Sequence, residues 1–329
     1  MSSSTPPRSS PRRLGPYEII GWIGSGGMAE VHLARRFGAS GWEKTVALKL
    51  LRPEHRGHAE LERLLLNEAK LGARFAHPGL VQVHDLGLAD GVYYLCMDYV
   101  DGCDLAALLA RAPLSEGLAL LIGERLAQTL AYVHALTDDA GRPLGLVHRD
   151  VSPGNVLISR SGAIKLSDFG IAKATAMGDR TWGRIRKGKY AYMAPEQLSG
   201  EPLSAATDVF ALGVTVHELL LRRRPFDGPR LRDFMEALRQ AELAADHDFG
   251  ALEPELAALL RRCLAKDPSA RPDAASFAAQ LQQARRRRAP VGILELAAWV
   301  QAKLEPGDAS DASDEAATAF ETLGMDDEG

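Results

Sequence analysis

Two carboxylates and a carboxamide, Asp150, Asp168 and Asn155, stand in short stretches beside strand-like runs: VHRDVSPGNVLIS over 147–159 and IKLSDFGIAK over 164–173. Pro153 and Gly154 break the first stretch too often for a helix, so Asp150 and Asn155 lie on a loop that enters the apolar segment VLI. In the second, Asp168 closes a strand-like start and is followed by an aromatic and by a glycine that permits a turn. These side chains supply hard oxygen ligands, the kind that suits a magnesium ion carried by a nucleotide.

Opposite charge must come from elsewhere in the chain. In VALKLL, strand alternation puts Val46, Leu48 and Leu50 on one face and Ala47, Lys49 and Leu51 on the other, so Lys49 lies mid-strand among apolar neighbours. An exposed edge-strand lysine gives the same pattern. The helical segment from about 58 to 75 bears on that choice: Leu61, Leu64, Leu65, Gly72 and Phe75 form an apolar stripe whose empty slot is Glu68. An unpaired carboxylate on a buried face is costly, so a cation is expected beside Glu68, and Lys49 is the candidate. A Glu68 that snorkels at the edge of the stripe is the alternative. In IGSGGMAEVHLA, over 23–34, Gly24, Gly26 and Gly27 suit a tight hairpin whose backbone N–H groups approach a phosphate, although most glycine-rich hairpins are simply turns.

The elements that must position these residues divide in two. Short β-branched or aromatic runs (YEIIGWI, VALKLL, VQVHDLGL, VYYLCMDYV) surround the one long helical pattern up to about residue 110, and from 115 to 284 the period is mostly helical. The expectation is an α+β chain of two lobes, a small β-rich N-lobe with one long helix over about 14–98 and a larger, mainly α-helical C-lobe over about 101–286. Residues 1–13, rich in Ser, Pro and Arg, are expected to be a disordered leader. Residues 287–305 read as an amphipathic helix with Ile293, Leu296, Ala297 and Val300 on one face, and 306–329 as an acidic disordered tail. A net charge of −4 gives no long-range field to draw in nucleic acid or an anionic membrane. With no apolar run of about eighteen residues and no apolar core of a secretory signal, neither a membrane span nor export is expected, and the location is cytoplasmic. Cys96, Cys103 and Cys263 lack CxxC spacing and read as buried, reduced thiols.

The glycine hairpin, Lys49, Glu68, HRD with Asn155, DFG at 168–170 and APE at 194–196 occur in one order, a combination far more specific than any member. Over about residues 17–284 the sequence resembles the Hanks-type, eukaryotic-like serine/threonine protein kinases, especially the bacterial ones. The resemblance implies the bilobal protein-kinase fold, protein substrates, and ATP with Mg²⁺ (or Mn²⁺) as cofactors. On the matching positions it implies that Asp150 orients or accepts the proton of the substrate hydroxyl, that Asn155 and Asp168 are metal ligands, and that Lys49, held by Glu68, contacts the α- and β-phosphates. Ile23, Gly24, Gly26, Gly27 and Val31 belong to the hairpin over the nucleotide, and Val31, Ala47 and Leu157 sandwich the adenine. Met97 is the gatekeeper, Asp98 and Val100 offer backbone hydrogen bonds to adenine, and Asp104 meets the ribose. Asp208, which starts the apolar DVFALGVTVHELLL, fastens the HRD backbone, while Glu196 and Arg271 clamp the activation segment. Small-molecule phosphotransferases of kinase-like fold generally lack that pair, which favours a protein substrate.

The sequence departs from the family pattern at several positions. Ala29 replaces the third loop glycine, a change expected to leave nucleotide binding intact, and Gly72 stands where larger apolar residues are common, so the helix is expected to be less firmly packed. Ser152 stands where a lysine is usual and Lys189 where a threonine is usual; Lys189 is read as supplying the ammonium that Ser152 lacks, against two independent losses. These departures motivate an alternative, a nucleotide-binding, pseudokinase-like scaffold with weak phosphotransfer. The proline of HRDVSPGN is that of the Ser/Thr branch, whereas tyrosine kinases resemble HRDLAARN. Thr175 and Thr181 share a segment with Arg180, Arg184, Arg186, Lys187 and Lys189 that repels Arg149, so autophosphorylation there, with Arg149 pairing to the phosphate, is expected. A basic loop that attracts acidic substrates is the other reading. Thr318 and Thr322 in the tail are candidate docking sites for a phosphothreonine-reading partner, although such tails usually just solvate a terminus.

Overall fold

The structure is a computed structural model that describes residues 13–26, 28–169, 190–226, 231–243 and 249–304. Strands β1 (Arg13–Leu14), β2 (Tyr17–Ser25), β3 (Ala29–Phe37), β4 (Glu43–Leu51), β5 (Val83–Ala89) and β6 (Val92–Asp98) form an antiparallel sheet in the order β1-β2-β3-β4-β6-β5. The β5–β6 hairpin turns through Asp90 and Gly91, both at positive φ, the conformation that Asp-Gly adopts in a tight hairpin. Alternation divides β4: Val46, Leu48 and Leu50 pack with Leu14, Tyr17, Tyr94 and Cys96 on one face, and Leu51 packs with Leu65, Ala69 and Leu95 on the other. Helix α1 (Ala59–Gly72) covers this second face. Arg13, counted with the leader on composition, instead opens β1 opposite Glu18, because the buried Leu14 beside it anchors the pairing.

Gly72 does not loosen α1. It is buried, and a Cβ built there would lie 2.4 Å from Cγ2 of Val83, so the glycine lets α1 close onto β5 and Val83 fills the space a larger residue would take.

The second lobe holds a small sheet, β7 (Gly102–Asp104), β8 (Val156–Ser159) and β9 (Ile164–Leu166), among helices. These are α2 (Leu105–Arg111), α3 (Glu116–His134), α4 (Pro195–Ser199), α5 (Ala205–Leu221), α6 (Leu231–Gln240), α7 (Pro254–Cys263), α8 (Ala274–Arg286) and α9 (Ile293–Leu304). Being apolar nearly all round, α3 and α5 are buried along most of their length and form the centre. Charge inside this core is paired: Glu124 of α3, almost fully buried, accepts from Nε of Arg285 at 2.8 Å. Helix α9 starts well after residue 287, because Pro290 and Gly292 interrupt the helical backbone and Arg288 ties that stretch to Glu116 at 2.5 Å. Its Leu296 and Val300 are buried on the lobe, while Ile293 stays partly exposed. Backbone bonds stitch the lobes together, from Val81 N–H to Leu166 O (3.0 Å) and from Leu166 N–H to Gly79 O (2.8 Å). Cys96 and Cys263 are buried free thiols, whereas Cys103 is only half-buried. Among the described residues no helix is long and apolar enough to cross a membrane.

The close approach at Gly72 predicts that Gly72→Leu destabilises the domain by about 1–3 kcal/mol through overpacking. Combination with Val83→Ala should restore much of the loss. Urea unfolding of the two variants checks this, and an unperturbed single variant would show that Val83 yields freely.

Candidate active site

The loop that carries Asp150 is fixed chiefly through its backbone. Arg149 has φ of 70°, a left-handed conformation that costs a non-glycine residue about 1–3 kcal/mol unless its surroundings hold it. Asp208, wholly buried at the start of α5, does so by accepting His148 N–H at 2.7 Å and Arg149 N–H at 2.8 Å. The Asp208 carboxylate also meets Nε2 of His134 at 2.8 Å, and Nε2 of Gln197 donates to Arg149 O at 3.0 Å. Further along, Nδ2 of Asn155 donates to Asp150 O (2.8 Å), while Asn155 O accepts from Ser167 N–H (2.9 Å). Asp150, Asn155 and Asp168 are thereby drawn into one backbone network, and Asp168 is itself at φ of 56°.

Lys49 reaches this network from the other lobe. Its Nζ donates to Oε1 of Glu68 at 2.7 Å and to Oδ1 of Asp168, so one ammonium links β4, α1 and the segment after β9. Burial alone would push the Lys49 ammonium down, but the adjacent Asp168 and Glu68 carboxylates outweigh it and hold its pKa above the ordinary lysine value. The Lys49 charge in turn keeps Asp168 below the usual carboxylate range, against the effect of burial. Burial raises Glu68, and Lys49 opposes that shift.

An aromatic pile backs the site. Phe169 stacks on Phe75 at 4.5 Å between centroids and leans on His148 at the same distance. Phe75 follows α1 and His148 precedes Asp150, so the pile joins the helix that carries Glu68 to the loop that carries Asp150. Burial lowers the pKa of His148 and keeps it neutral. Its Nδ1 accepts Asp150 N–H at 3.3 Å, which leaves the ring proton on Nε2, donated to Ser167 O at 3.2 Å.

The remaining sequence candidates spread over both lobes. Register pairs Val31 with both Gly24 and Lys49, and Ala47 with Met97, so Val31, Ala47, Lys49 and Met97 share one face of the N-lobe sheet. Ile23 and Gly24 lie in the last residues of β2, and Gly26 N–H donates to Ala29 O at 2.7 Å in the turn. Leu157 lies on β8 opposite Asp104. The Asp98 amide is held by Gln82 O at 2.9 Å, so of its backbone only the carbonyl can serve an adenine edge. Oδ1 of Asp104 accepts Ala107 N–H at 2.8 Å and caps α2, a role its place before LAALLA signals. Gly27, Thr175, Thr181 and Lys189 lie outside the described residues, as do Thr318 and Thr322. Sequence reasoning missed Phe75, His148 and Lys165; the last ties Asp98 to Leu80 O, both at 3.1 Å from Nζ. The buried Glu196–Arg271 pair is bidentate at 2.7 and 2.9 Å, and Oε1 of Glu196 also accepts from Thr207.

A family model described as protein kinase domain matches residues 17–283. The chain belongs to the protein kinase family. This kinase domain is 39% identical over 277 residues to Tyrosine-protein kinase MasK of Myxococcus xanthus, covering 82% of this chain and 43% of that protein. It is 34% identical over 259 residues to Serine/threonine-protein kinase PrkC of Bacillus subtilis, covering 78% and 38%. The crystal structure of the Mycobacterium tuberculosis PknI kinase domain is similar with a TM-score of 0.58 at 29% identity, over 84% of this chain and 100% of that one. The chain spans less than half the length of these curated relatives.

The family implies ATP and a divalent cation. The donor set fits such a cation: Asp168 remains ionised beside Lys49, and with Nδ2 of Asn155 engaged on Asp150 O, the amide oxygen is the atom left to coordinate.

His148 sets a pH dependence of stability. Its native pKa lies below the ordinary value of about 6.5, so in the interval between them the unfolded chain binds a proton that the native state excludes. Stability is therefore full above about pH 6.5 and falls as the pH drops below it. His77, lowered by burial and by Lys165, adds in the same direction. Urea midpoints should decline from about pH 7.5 to about pH 5.5, less steeply in His148→Gln; an identical slope would mean that the ring protonates in the native state.

Proposed function

We propose that the chain is an ATP-dependent protein kinase domain that transfers the γ-phosphate to serine or threonine hydroxyls of protein substrates. The carrying observation is the junction of Lys49 with Glu68 and Asp168 across the lobes, beside a loop whose backbone is locked around Asp150 and Asn155. The buried Glu196–Arg271 pair supports a protein substrate, because it anchors the segment leading out of APE against the C-lobe. A cytoplasmic setting, where thiols stay reduced, accords with three unpaired cysteines.

When bound, ATP with a divalent cation supplies the phosphoryl group and screens its charge. On this reading Asp168 and Asn155 hold the cation, and Lys49, kept charged by its carboxylate neighbours, holds the α- and β-phosphates. Asp150 orients the substrate hydroxyl and takes its proton, from a backbone that Asp208, His148 and Asn155 prevent from shifting. Val31, Ala47, Met97 and Leu157 enclose the base, Asp98 and Val100 meet its edge through the backbone, and the 23–31 hairpin covers the phosphates. Lys189 supplies the ammonium missing at Ser152, and autophosphorylation at Thr175 or Thr181 engages Arg149.

A second reading, tyrosine as acceptor, is favoured by the similarity to the tyrosine-protein kinase of Myxococcus xanthus. A third, the scaffold with weak phosphotransfer, rests on Ser152 and Lys189.

Dephosphorylated wild type and Asp150→Asn, incubated with ATP and Mg²⁺ and followed by intact mass and phosphoamino-acid analysis, separate the three. Phosphothreonine on the wild type, formed about 10²–10⁴ times more slowly by Asp150→Asn, is expected. Phosphotyrosine alone would select the second reading, and bound nucleotide without phosphate on either protein the third. Lys189→Ala should slow transfer to a peptide; an unaltered rate would remove Lys189 from the mechanism.

A further inference from the structure

Helix α9 lies past residue 283, where the match to the kinase family ends, yet it is built into the domain. Its Leu296 and Val300 are wholly buried in the core that also holds Leu105 and Leu108 of α2 and Val156 and Ile158 of β8, and α9 lies against both of those elements. Arg111, which ends α2, donates from Nη1 to Lys303 O at 2.7 Å. The start of α9 meets the turn between β8 and β9. Gly162 in that turn has φ of 81°, and a Cβ built on it would lie 2.4 Å from Ile293 O, so a glycine is what lets helix and turn approach this closely.

The same turn reaches the nucleotide side. Nε2 of Gln301 donates to Arg160 O at 2.9 Å, and Arg160 N–H donates to Asp101 O at 2.8 Å. Asp101 directly follows residues 98–100, whose backbone meets the adenine edge on the kinase reading. The exposed Arg160–Asp101 ion pair, at 3.4 Å, adds little of its own, so the backbone bond is the link. The turn is bonded internally, Gly162 N–H to Ser159 O and Ala163 N–H to Oγ of Ser159, both at 2.9 Å, and it therefore shifts as a unit. A second route runs through α2, gripped at its end by α9 and capped at its start by Asp104.

Resting on the kinase reading above, we propose that α9 is a positioning element for the nucleotide, acting through the Arg160 turn on Asp101 and through α2 on Asp104. Docked α9 holds both contacts in register for base and ribose. By reciprocity, bound nucleotide holds α9 on the domain.

Hydrogen exchange on the full chain, with and without saturating ADP and Mg²⁺, tests this without depending on turnover. Amides of α9 should exchange roughly fivefold more slowly with nucleotide, beyond any change in α6. A slowing shared equally by α6, or none in α9, would overturn the proposal. Two variants press on α9 from opposite sides: Gly162→Asn keeps a residue tolerant of the left-handed turn while its Cβ wedges against Ile293, and Val300→Ala weakens docking without loss of helix propensity. Each should bind N-methylanthraniloyl-ADP roughly fivefold more weakly and raise KM for ATP by a similar factor, with kcat little changed. A purely structural helix would lower the unfolding midpoint and leave these affinities alone, and that result in both folded variants would overturn the proposal; if neither variant folds, exchange in the wild type decides. Phosphate incorporation into protein is followed in parallel. Transfer with α9 exchange indifferent to ADP would sink the role of α9 and leave the kinase reading, whereas linked exchange without transfer would do the reverse.

Discussion

The buried carboxylate of Asp208 is the interaction on which the site depends. It holds two consecutive backbone N–H groups and so keeps Arg149 in a conformation that an arginine would otherwise leave. A carboxylate is stable there because it is fully supplied with donors and because it sits in the first turn of α5, where the helix dipole favours negative charge. The hydrophobic helix is thus more than packing material: burying it on all sides fixes the position of Asp208, and Asp208 fixes the loop that presents Asp150. Stability and chemistry are joined at one side chain.

The junction of the lobes works by a different balance. Lys49 is buried with two carboxylates on two separate elements, so the ammonium is satisfied only when α1 and the Asp168 segment are both in place. The Phe75–Phe169–His148 pile links the same elements through apolar contact. Electrostatic and hydrophobic terms therefore favour the same arrangement, which is what a single ordered state requires.

The chemistry of the site was legible because it resides in residue types at short spacing. Asp150 with Asn155, Asp168 before Phe-Gly, and a carboxylate on the apolar stripe of a helix each announce themselves locally. The strand alternation around Lys49 is legible for the same reason. What escaped depends on contacts between distant segments. Phe75 is visible as one more apolar residue of the stripe, but nothing near it in the chain says that it will meet Phe169. The close fit of Gly72 to Val83 runs opposite to what helix propensity and residue size suggest, because propensity knows nothing of β5. The amphipathic pattern over 287–305 overruns the start of α9 at Ile293, because composition does not register the break that Pro290 and Gly292 impose.

The fit of Gly72 to Val83 constrains the route by which the sequence can diverge. A larger residue at 72 meets a clash while Val83 is present, whereas a smaller residue at 83 leaves only a modest void, so the two changes are not interchangeable in time. A lineage that passes between this packing and one with a bulky residue on the helix must trim the strand first and fill the helix second. The glycine is held in place by its neighbour's history as much as by its own conformation.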